Sequence, residues 1–385
     1  MNTAITAYIG ADIFDGRVLQ REHALLVSGG IVVDVIPAGA VPMEVECVDF
    51  GAGTLAPGFV DLQVNGGGGV MFNEAPNIGT LETMAATHGR LGATAILPTL
   101  ISDSREKTRA AIEAVRAAVE AGVPGIAGLH LEGPHLAATR KGAHAAEFLR
   151  PMDNDDLEML ARAAETLPAL LLTVAPEVVS PEEIAALTGA GAVVSLGHSD
   201  AEYDMCLEAV EAGASAVTHL FNAMSQMTGR APGLVGAALD CGALSAGLIA
   251  DMIHVHPASI ASALRGKVGP GRIFLVSDAM AVAGIEAERF ELNGREILRR
   301  DGRLTLADGT LAGADLDLPG AVRNLTGQLG LPAEIALSMA SSIPAAVAGL
   351  GRRHGWLKPG HPADLVHLDP TGRLASVWRD GAPVY

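Results

Sequence analysis

Short apolar runs recur along this chain, and each is bounded by glycine, proline or polar residues. Eight runs of strand length lie near residues 59–64, 93–98, 126–132, 169–174, 192–197, 214–218, 246–250 and 273–277. Their leucine-rich or β-branched composition is typical of strands buried on both faces, as in a parallel sheet. Alanine-rich segments of helix length lie between them. Eight strand–helix units predict an α/β fold, a closed (β/α)8 barrel.

Local signals predict where individual helices begin and end. In the segment SREKTRAAIEAVRAAVEAG, Ser104 is the expected N-cap and Gly122 lies just past the expected end. Asn-Gly and Asp-Gly pairs between residues 288 and 311 predict a β insertion after the eighth barrel strand. Two further helices are expected near 317–329 and 332–350.

The two ends of the chain have a different pattern from the middle. The first fifty-odd residues alternate short apolar runs with the hairpin signals Asp15-Gly16 and Gly29-Gly30. The tail after residue 351 returns to short alternating strands. We therefore expect a small discontinuous β-sandwich domain formed by residues 1–57 and 352–385, and a barrel domain over residues 58–351.

Composition and charge exclude several classes of partner. The 385 residues are 49% hydrophobic with a formal net charge of -18, and we find no cluster of lysine and arginine suited to phosphate backbones. Nucleic acid and anionic membrane surfaces are therefore not expected partners. No membrane span and no signal peptide are expected either. Three widely spaced cysteines without a CxxC pair favour a reducing compartment, so we expect a cytoplasmic protein.

Five polar residues follow apolar runs at the point where each expected strand ends: Glu132, His198, His219, His254 and Asp278. In a barrel of parallel strands, the carboxyl ends meet at one mouth, where active sites lie. Singly, a carboxylate there could cap the next segment and a histidine could be a hydrogen-bonded core residue. Together, Glu132, His198 and His219 form a three-ligand set that leaves one zinc position open for water. The sequence thus predicts a metal centre, with Asp278 left to transfer protons.

The first expected barrel strand bears on the number of metal ions. Asp61, Gln63 and Asn65 share one strand face. Many binuclear barrel hydrolases carry a His-x-His pair here, and the neutral amides of Gln63 and Asn65 are poor zinc ligands. One tightly held metal is therefore expected. The run Gly66 to Gly69 lacks the Lys and Ser/Thr of a phosphate loop, so tight backbone packing is the preferred interpretation.

Two expected loops bring cationic and amide side chains to the same barrel face. Lys141 and His144 follow the third strand, whereas Asn222 and Arg230 follow the sixth. Singly, these are ordinary solvated loop residues. Jointly, they form a local positive pocket suited to an anionic substrate of an acidic protein.

Seven segments, taken in chain order, closely resemble the serial motifs of the N-acetylglucosamine-6-phosphate deacetylase family, part of the amidohydrolase superfamily. They are PGFVDLQVNGGGGVMFN, GLHLEGPHLAATRKGAH, SLGHSDAEYD, VTHLFNAMSQMTGRAPGLVGAAL, IADMIHVHP, LVSDAMAVAG and GTLAGADLDLPGAVRNL. The resemblance implies a metal-dependent barrel enzyme that removes acetate from an N-acetylhexosamine 6-phosphate, in amino-sugar catabolism or cell-wall recycling. It also implies a homodimer or higher homo-oligomer in which a neighbouring subunit completes the pocket.

The resemblance assigns roles to individual residues. It implies that Glu132, His198 and His219 bind one divalent metal, zinc first and iron, manganese or cobalt as alternatives, and that Asp278 is the general base and acid. His144 would polarise the amide carbonyl or bind the sugar. The implied substrate contacts are Ala143, His144, Asn222, Ala223, Arg230, His254, Leu311, Ala312 and Gly313. Departures from the family pattern occur at His135 and at Asp200-Ala-Glu202, and they bear on fine substrate preference.

Two other functions remain open at this point. Another amidohydrolase reaction, such as deamination or cyclic-amide opening, would use the same barrel. A non-enzymatic interaction module would be free to lose its ligands, yet the whole expected set is present.

Overall fold

The computed structural model describes residues 4–385, and its first part consists of β-strands and one short 3-10 helix, Ala38–Ala40. Seven strands precede the barrel: β1 Ile5–Ile9, β2 Asp12–Phe14, β3 Leu19–Gln20, β4 His23–Ser28, β5 Ile31–Pro37, β6 Glu46–Asp49 and β7 Thr54–Pro57. Four of them form one sheet in the order β5-β4-β1-β6. Gly29 and Gly30 connect β4 to β5 with positive φ values of 58° and 79°, which confirms the predicted hairpin turn.

The centre of the molecule is an eight-stranded parallel barrel. Its strands are β8 Phe59–Val64, β11 Ala93–Ile101, β12 Leu129–Glu132, β13 Leu170–Val174, β14 Val193–Leu196, β15 Ala216–Val217, β16 Ser245–Leu248 and β17 Ile273–Leu275, with the short pair β9 Gly66–Gly67 and β10 Val70–Met71 after β8. They pair in sequence order from β8 to β17. A parallel bridge between Val64 and Ala279 closes the ring. The predicted (β/α)8 fold is confirmed.

Helices fill the segments between successive barrel strands. They are α1 Ile78–Arg90, α2 Arg105–Glu120, α3 Asn154–Thr166, α4 Pro181–Gly189, α5 Tyr203–Glu211, α6 Gly233–Asp240 and α7 Pro257–Gly266. The Ser104 side chain accepts a hydrogen bond from the backbone N–H of Lys107 and caps α2, as predicted. Gly122 follows the helix with φ of 70°, also as predicted.

A four-stranded antiparallel insertion follows the last barrel strand and packs over the barrel mouth. It consists of β18 Arg289–Leu292, β19 Arg295–Arg300, β20 Arg303–Thr305 and β21 Leu311–Ala314. Leu292, Ile297 and Leu304 of the insertion share a buried cluster with Met280 and Ile101 of the barrel loops and strands. The predicted insertion is therefore present, and its apolar face is anchored next to the carboxyl ends of the strands.

The helices after the insertion differ in one respect from the prediction. They are α8 Leu318–Leu329, α9 Ala333–Ala340 and α10 Ser342–Val347. The single helix expected near 332–350 is wrong, because the backbone breaks at Ser341 with φ of -131° and ψ of -84°. Pro344 lacks the N–H that a continuous helix would direct at Ala340, which accounts for the break.

The tail joins the N-terminal strands, as predicted. Its strands are β22 Leu365–Leu368, β23 Leu374–Arg379 and β24 Ala382–Pro383. They extend a six-stranded sheet in the order β24-β23-β22-β7-β2-β3. Tyr8, Leu25, Ile13, Leu55 and Leu365 belong to one buried cluster between the two terminal sheets, the arrangement expected of a β-sandwich.

The domain boundaries at residues 57 and 351 stay predictions. No helix within residues 4–385 is both long and apolar enough to cross a membrane.

Candidate active site

The reactive side chains lie just past the carboxyl ends of the barrel strands. Glu132 is the last residue of β12, while His198 and His219 lie two residues beyond β14 and β15, and Asp278 lies three beyond β17. His198, His219 and Asp278 have positive φ values of 47°, 29° and 50°. A non-glycine residue in this region costs on the order of 1–3 kcal/mol and persists only where the surroundings enforce it. The barrel mouth therefore holds three functional residues in strained conformations.

Three ligand atoms converge on one point, so the residues fit a metal ion. Nε2 of His198 and Nε2 of His219 each lie 3.0 Å from Oε1 of Glu132, and 3.0 Å from one another. All three side chains are buried. Two imidazole nitrogens and a carboxylate oxygen are the donor set of catalytic zinc sites. The predicted ligand set is thus brought together in the structure.

Backbone contacts orient one of the ligands. Nδ1 of His198 lies 2.7 Å from the backbone carbonyl oxygen of Arg140. Because a carbonyl oxygen only accepts hydrogen bonds, Nδ1 carries the hydrogen. The lone pair of Nε2 is then free to bind a metal ion at the point where the three ligand atoms converge. The loop that contains Arg140 consequently fixes the tautomer that a metal ligand requires.

The amide side chains of Gln63 in β8 and of Asn65 just after it are hydrogen-bonded to Glu132 and Asp278. Nε2 of Gln63 donates to Oδ1 of Asp278 at 3.1 Å and to Oε2 of Glu132 at 3.3 Å. Nδ2 of Asn65 donates to the same Oδ1 of Asp278 at 2.7 Å. Both amides therefore act as hydrogen-bond donors to carboxylates. The expectation that they do not ligate a second metal stays a prediction.

The tautomer of His144 follows from its neighbours. Its Nδ1 accepts a hydrogen bond from the backbone N–H of Ser102 at 3.2 Å and lies 2.8 Å from Oγ of that serine. A nitrogen that accepts carries no hydrogen, so the neutral ring has its hydrogen on Nε2, 4.0 Å from Oε1 of Glu132. Burial and, to a smaller extent, the nearby His198 lower the pKa of His144 to about 3. His144 is thus a neutral donor beside the ligand set.

The surroundings shift the pKa values of Glu132 and Asp278 in opposite directions. Burial raises the pKa of Asp278 to about 6, and the charge of Glu132 also raises it. Burial also raises the pKa of Glu132, but the interactions with His198 and His219 together outweigh burial and hold that pKa well below its ordinary value. Glu132 is therefore the ionised ligand and Asp278 the group suited to exchange protons near neutrality.

Two further features lie around this set. His130 has the same strand parity as Glu132 and lies inside the barrel, where its ring nitrogens are hydrogen-bonded to the hydroxyls of Thr99 and Thr173. It is therefore a core histidine. The glycine run packs tightly, since a Cβ on Gly67 would lie 2.6 Å from Nε2 of His88.

A cavity of about 530 Å³ opens beside the ligand set and is lined by most of the residues predicted to bind substrate. Those that line it are Ala143, His144, Asn222, Ala223, His254, Leu311 and Gly313. His254 belongs to the loop after β16, whereas Leu311 and Gly313 belong to β21. The β insertion and the barrel loops thus form opposite walls of one cavity.

Three predicted residues lie elsewhere. Ala312 is fully buried in the cluster beneath the insertion, because neighbouring residues of a strand point to opposite faces. Lys141 and Arg230 are exposed, and neither lines the cavity of a single chain. Of the four residues expected to form a positive pocket, His144 and Asn222 line the cavity, whereas Lys141 and Arg230 do not.

Sequence reasoning missed several contributors. Arg140 lines the cavity and forms an ion pair with Asp200, although it stands directly before the Lys141 that was singled out. Ser102, which orients His144, immediately follows β11. The rule that strand ends meet at one mouth could have identified Ser102. Other residues that line the cavity and were not predicted are Ile101, Thr139, Gly142, Ile249, Met280, Gly309 and Thr310.

Comparison with known proteins places these features in a family. Residues 54–385 match the amidohydrolase family. The chain is 42% identical to the N-acetylgalactosamine-6-phosphate deacetylase of Shewanella sp. (strain ANA-3), over 98% of this chain and 95% of that protein.

Solved structures with similar sequences have the same fold. The crystal structure of N-acetylglucosamine-6-phosphate deacetylase from Pasteurella multocida superposes with a TM-score of 0.94 at 33% identity, covering 98% of this chain and 99% of that one. A mutant N-acetyl-D-glucosamine-6-phosphate deacetylase from Mycobacterium smegmatis, in complex with N-acetyl-D-glucosamine 6-phosphate, gives 0.91 at 32% identity and covers 100% of both chains.

Proposed function

Because this chain belongs to the amidohydrolase family, we propose that its barrel mouth is the active site of an amino-sugar phosphate deacetylase. The enzyme hydrolyses the acetamide of N-acetyl-D-glucosamine 6-phosphate and yields D-glucosamine 6-phosphate and acetate. The observation that carries this assignment is the convergence of Glu132, His198 and His219 beside Asp278, in a chain that is similar over its full length to deacetylases of such sugars. The reaction would serve amino-sugar catabolism or cell-wall recycling.

The ligand set implies a metal-dependent reaction, as is usual in this family. We infer one divalent cation per chain, with zinc preferred for two imidazoles and one carboxylate. When bound, the cation supplies Lewis-acid chemistry, which activates a water molecule and polarises the amide carbonyl. Gln63 and Asn65 are committed to Asp278, so we propose no second tightly held cation.

The side chains around the cation divide the proton transfers and the charge stabilisation. Asp278 accepts the proton of the attacking water and later gives it to the departing sugar nitrogen, which its raised pKa of about 6 allows. His144 donates from Nε2 to the oxygen that becomes negatively charged when the acetamide carbon is attacked. Asn222 and His254 line the wall on which the rest of the sugar phosphate would lie.

The direct test is acetate release from a panel of N-acetylhexosamines with and without the 6-phosphate. We expect the phosphorylated sugars to be hydrolysed with a much larger kcat/KM. Equal turnover of phosphorylated and unphosphorylated sugars would refute the sugar-phosphate assignment. Activity on cyclic amides or aminated bases instead would indicate another amidohydrolase reaction, and a purified protein without metal or turnover would indicate an interaction module.

A second candidate substrate is N-acetyl-D-galactosamine 6-phosphate, the C4 epimer. It is favoured by the 42% identity to the Shewanella galactosamine enzyme, compared with 35% to a mammalian glucosamine enzyme and 32–33% to two glucosamine enzymes of known structure. The same panel distinguishes the two, since the ratio of kcat/KM for the two 6-phosphates measures the preference at C4 directly.

We also propose a cytoplasmic homo-oligomer, a homodimer in its simplest form. Arg230 is exposed on the loop after β15 and lies outside the cavity of its own chain, which fits a contribution to the cavity of a neighbouring subunit. The free thiols of Cys47, Cys206 and Cys241 suit a reducing compartment. Light scattering of the purified protein tests the oligomeric state.

A further inference from the structure

A carboxylate behind the cavity wall holds one of the residues that line the cavity. Oδ1 of Asp251 accepts hydrogen bonds from the backbone N–H groups of Ile253 and His254, both at 2.8 Å. Its Oδ2 lies 2.6 Å from Nδ1 of His254. Only 4% of the Asp251 side chain and 7% of the His254 side chain are exposed. The orientation of the imidazole is therefore set by this carboxylate.

The two residues face different cavities. His254 lines the cavity that contains the ligand set, whereas Asp251 lines a separate cavity on the other side of the same loop, together with Asp315 and Arg299. Asp251 therefore has no access to a substrate in the first cavity, and any effect on the reaction passes through His254.

The charge of the carboxylate determines which atom His254 can offer. Burial raises the pKa of Asp251, but the hydrogen bond and charge interaction with His254 and the two backbone N–H groups together outweigh burial and bring that pKa below its ordinary value. Asp251 is then ionised, and Nδ1 of His254 must donate to it. A protonated ring presents a second N–H at Nε2, and the buried carboxylate balances its charge.

The substrate cavity needs such a donor. Arg140 is the single lysine or arginine that lines it within the described part of the chain, and its guanidinium is shared with Asp200. Glu132 and Asp278 make the floor of the cavity acidic. An anionic substrate therefore requires further positively charged or donating groups on the walls.

We propose that Asp251 is a positioning residue that holds His254 as a charged hydrogen-bond donor toward the phosphate of the substrate. The inference rests on the proposed function, since it needs a substrate with an anionic group. Asp251 would thus contribute to the specificity for phosphorylated sugars although it lies outside the substrate cavity.

The test variant is Asp251→Asn, which separates the two roles of this side chain. The asparagine Oδ1 still accepts from both backbone N–H groups, so the loop keeps its cap, but the NH2 group cannot accept from Nδ1 of His254. A charge-assisted bond is about twice as strong as a neutral one, so we expect kcat/KM for the phosphorylated sugar to fall roughly tenfold. The change should appear in KM, and turnover of the unphosphorylated sugar should stay within about twofold of wild type.

A matched control and a double variant complete the experiment. Asp315→Asn makes the same substitution in the neighbouring cavity, breaks the pair with Arg299 and does not contact His254, so the substrate preference should be unchanged. If Asp251 acts through His254, the double variant Asp251→Asn, His254→Gln should match His254→Gln alone.

Additive losses of kcat/KM in the double variant, or equal losses of kcat/KM for the phosphorylated and unphosphorylated sugars, would overturn the proposal. Asp251 would then only cap its loop. A wild-type enzyme without preference for the phosphorylated sugar would instead refute the proposed function, and the role of Asp251 with it.

Discussion

The amide of Asn65 donates a 2.7 Å hydrogen bond from Nδ2 to Oδ1 of Asp278, across the seam where the barrel closes. Gln63 donates to the same oxygen at 3.1 Å. One carboxylate oxygen is thus fixed by two amides, and Oδ2 is left to exchange a proton. The position that carries metal-binding histidines in binuclear relatives here holds the proposed base in place.

Replacing Asp278 by Asn tests the base directly. The variant keeps the shape of the side chain and removes the group that titrates, so we expect metal to stay bound while turnover falls by a factor of roughly 10² to 10⁴. Steady-state acetate release and elemental analysis on the same preparation measure both quantities. Near-normal turnover would move proton transfer to another residue, with His144 the first to examine.

The pH dependence of kcat/KM provides a second test of Asp278. A base works only when deprotonated, and burial raises the pKa of Asp278 to about 6. Activity should therefore fall as the pH drops through this value. A bound cation favours the carboxylate and lowers the midpoint, so the acidic limb should lie at or below about pH 6. A limb centred above about pH 7, or a profile flat down to about pH 4.5, would contradict this assignment.

Much of the architecture could be predicted from the sequence because parallel strands buried on both faces have an unmistakable composition. The eight apolar runs match the eight barrel strands, and the residues that follow them, such as Glu132 and His219, meet at the mouth. The end of a helix within an apolar segment is less visible, and the break at Ser341 was missed for that reason.

Details of the site depend on tertiary contacts that no local pattern contains. Sequence reasoning identified His144, but its tautomer is set by Ser102 from another strand. It identified Lys141 and not Arg140, although Arg140 lines the cavity and Lys141 does not. The positive φ of His198 and Asp278 is likewise held by packing and is uncommon for residues other than glycine.

The metal content of the purified protein is the third prediction. We expect about one tightly bound divalent cation per chain, loss of activity on chelation and recovery on adding zinc. His219→Ala should abolish tight binding because it removes one of three ligands. The control His256→Asn changes an exposed histidine that caps α7 and should retain the metal. Two tightly held cations per active subunit, or full activity of the verified apo form, would contradict the single-metal assignment.

The buried carboxyl group of Asp61 makes a prediction about stability. Burial raises its pKa to about 7, although backbone N–H groups of Ser277 and Gln63 donate to Oδ1 at 3.2 and 3.3 Å. The pKa of Asp61 is about 4 in the unfolded state. At pH values between this pKa and the higher pKa of the folded state, Asp61 is protonated in the folded protein and ionised in the unfolded protein. The free energy of unfolding therefore decreases as pH rises through this window and levels off above it.

Asp61→Asn keeps the acceptor oxygen and removes this titration. Relative to wild type, its free energy of unfolding should rise by roughly 2 to 3 kcal/mol between about pH 5 and about pH 8. Urea denaturation at the two pH values, with metal present throughout, gives the difference. If the free energies of unfolding of wild type and variant changed in parallel with pH, Asp61 would be ionised in the folded state.

The last prediction concerns Arg230, which we propose reaches the phosphate bound to a neighbouring subunit. A guanidinium can form two charge-assisted hydrogen bonds with phosphate, and one such bond contributes about 1.5 to 3 kcal/mol. Arg230→Ala should therefore lower kcat/KM for the phosphorylated sugar by one to two orders of magnitude and barely affect the unphosphorylated sugar. Equal losses for both sugars would mean that Arg230 is structural.

Mixed oligomers distinguish a contribution to the neighbour from one to the same chain. In a dimer of one Arg230→Ala chain and one Asp278→Asn chain, a site that combines Asp278 of the first with Arg230 of the second is complete. Random pairing of equal amounts makes about half of the dimers mixed, each with one complete site, so activity should recover to about a quarter of wild type. If Arg230 serves its own chain, every site in the mixture lacks one of the two groups, and mixing restores nothing.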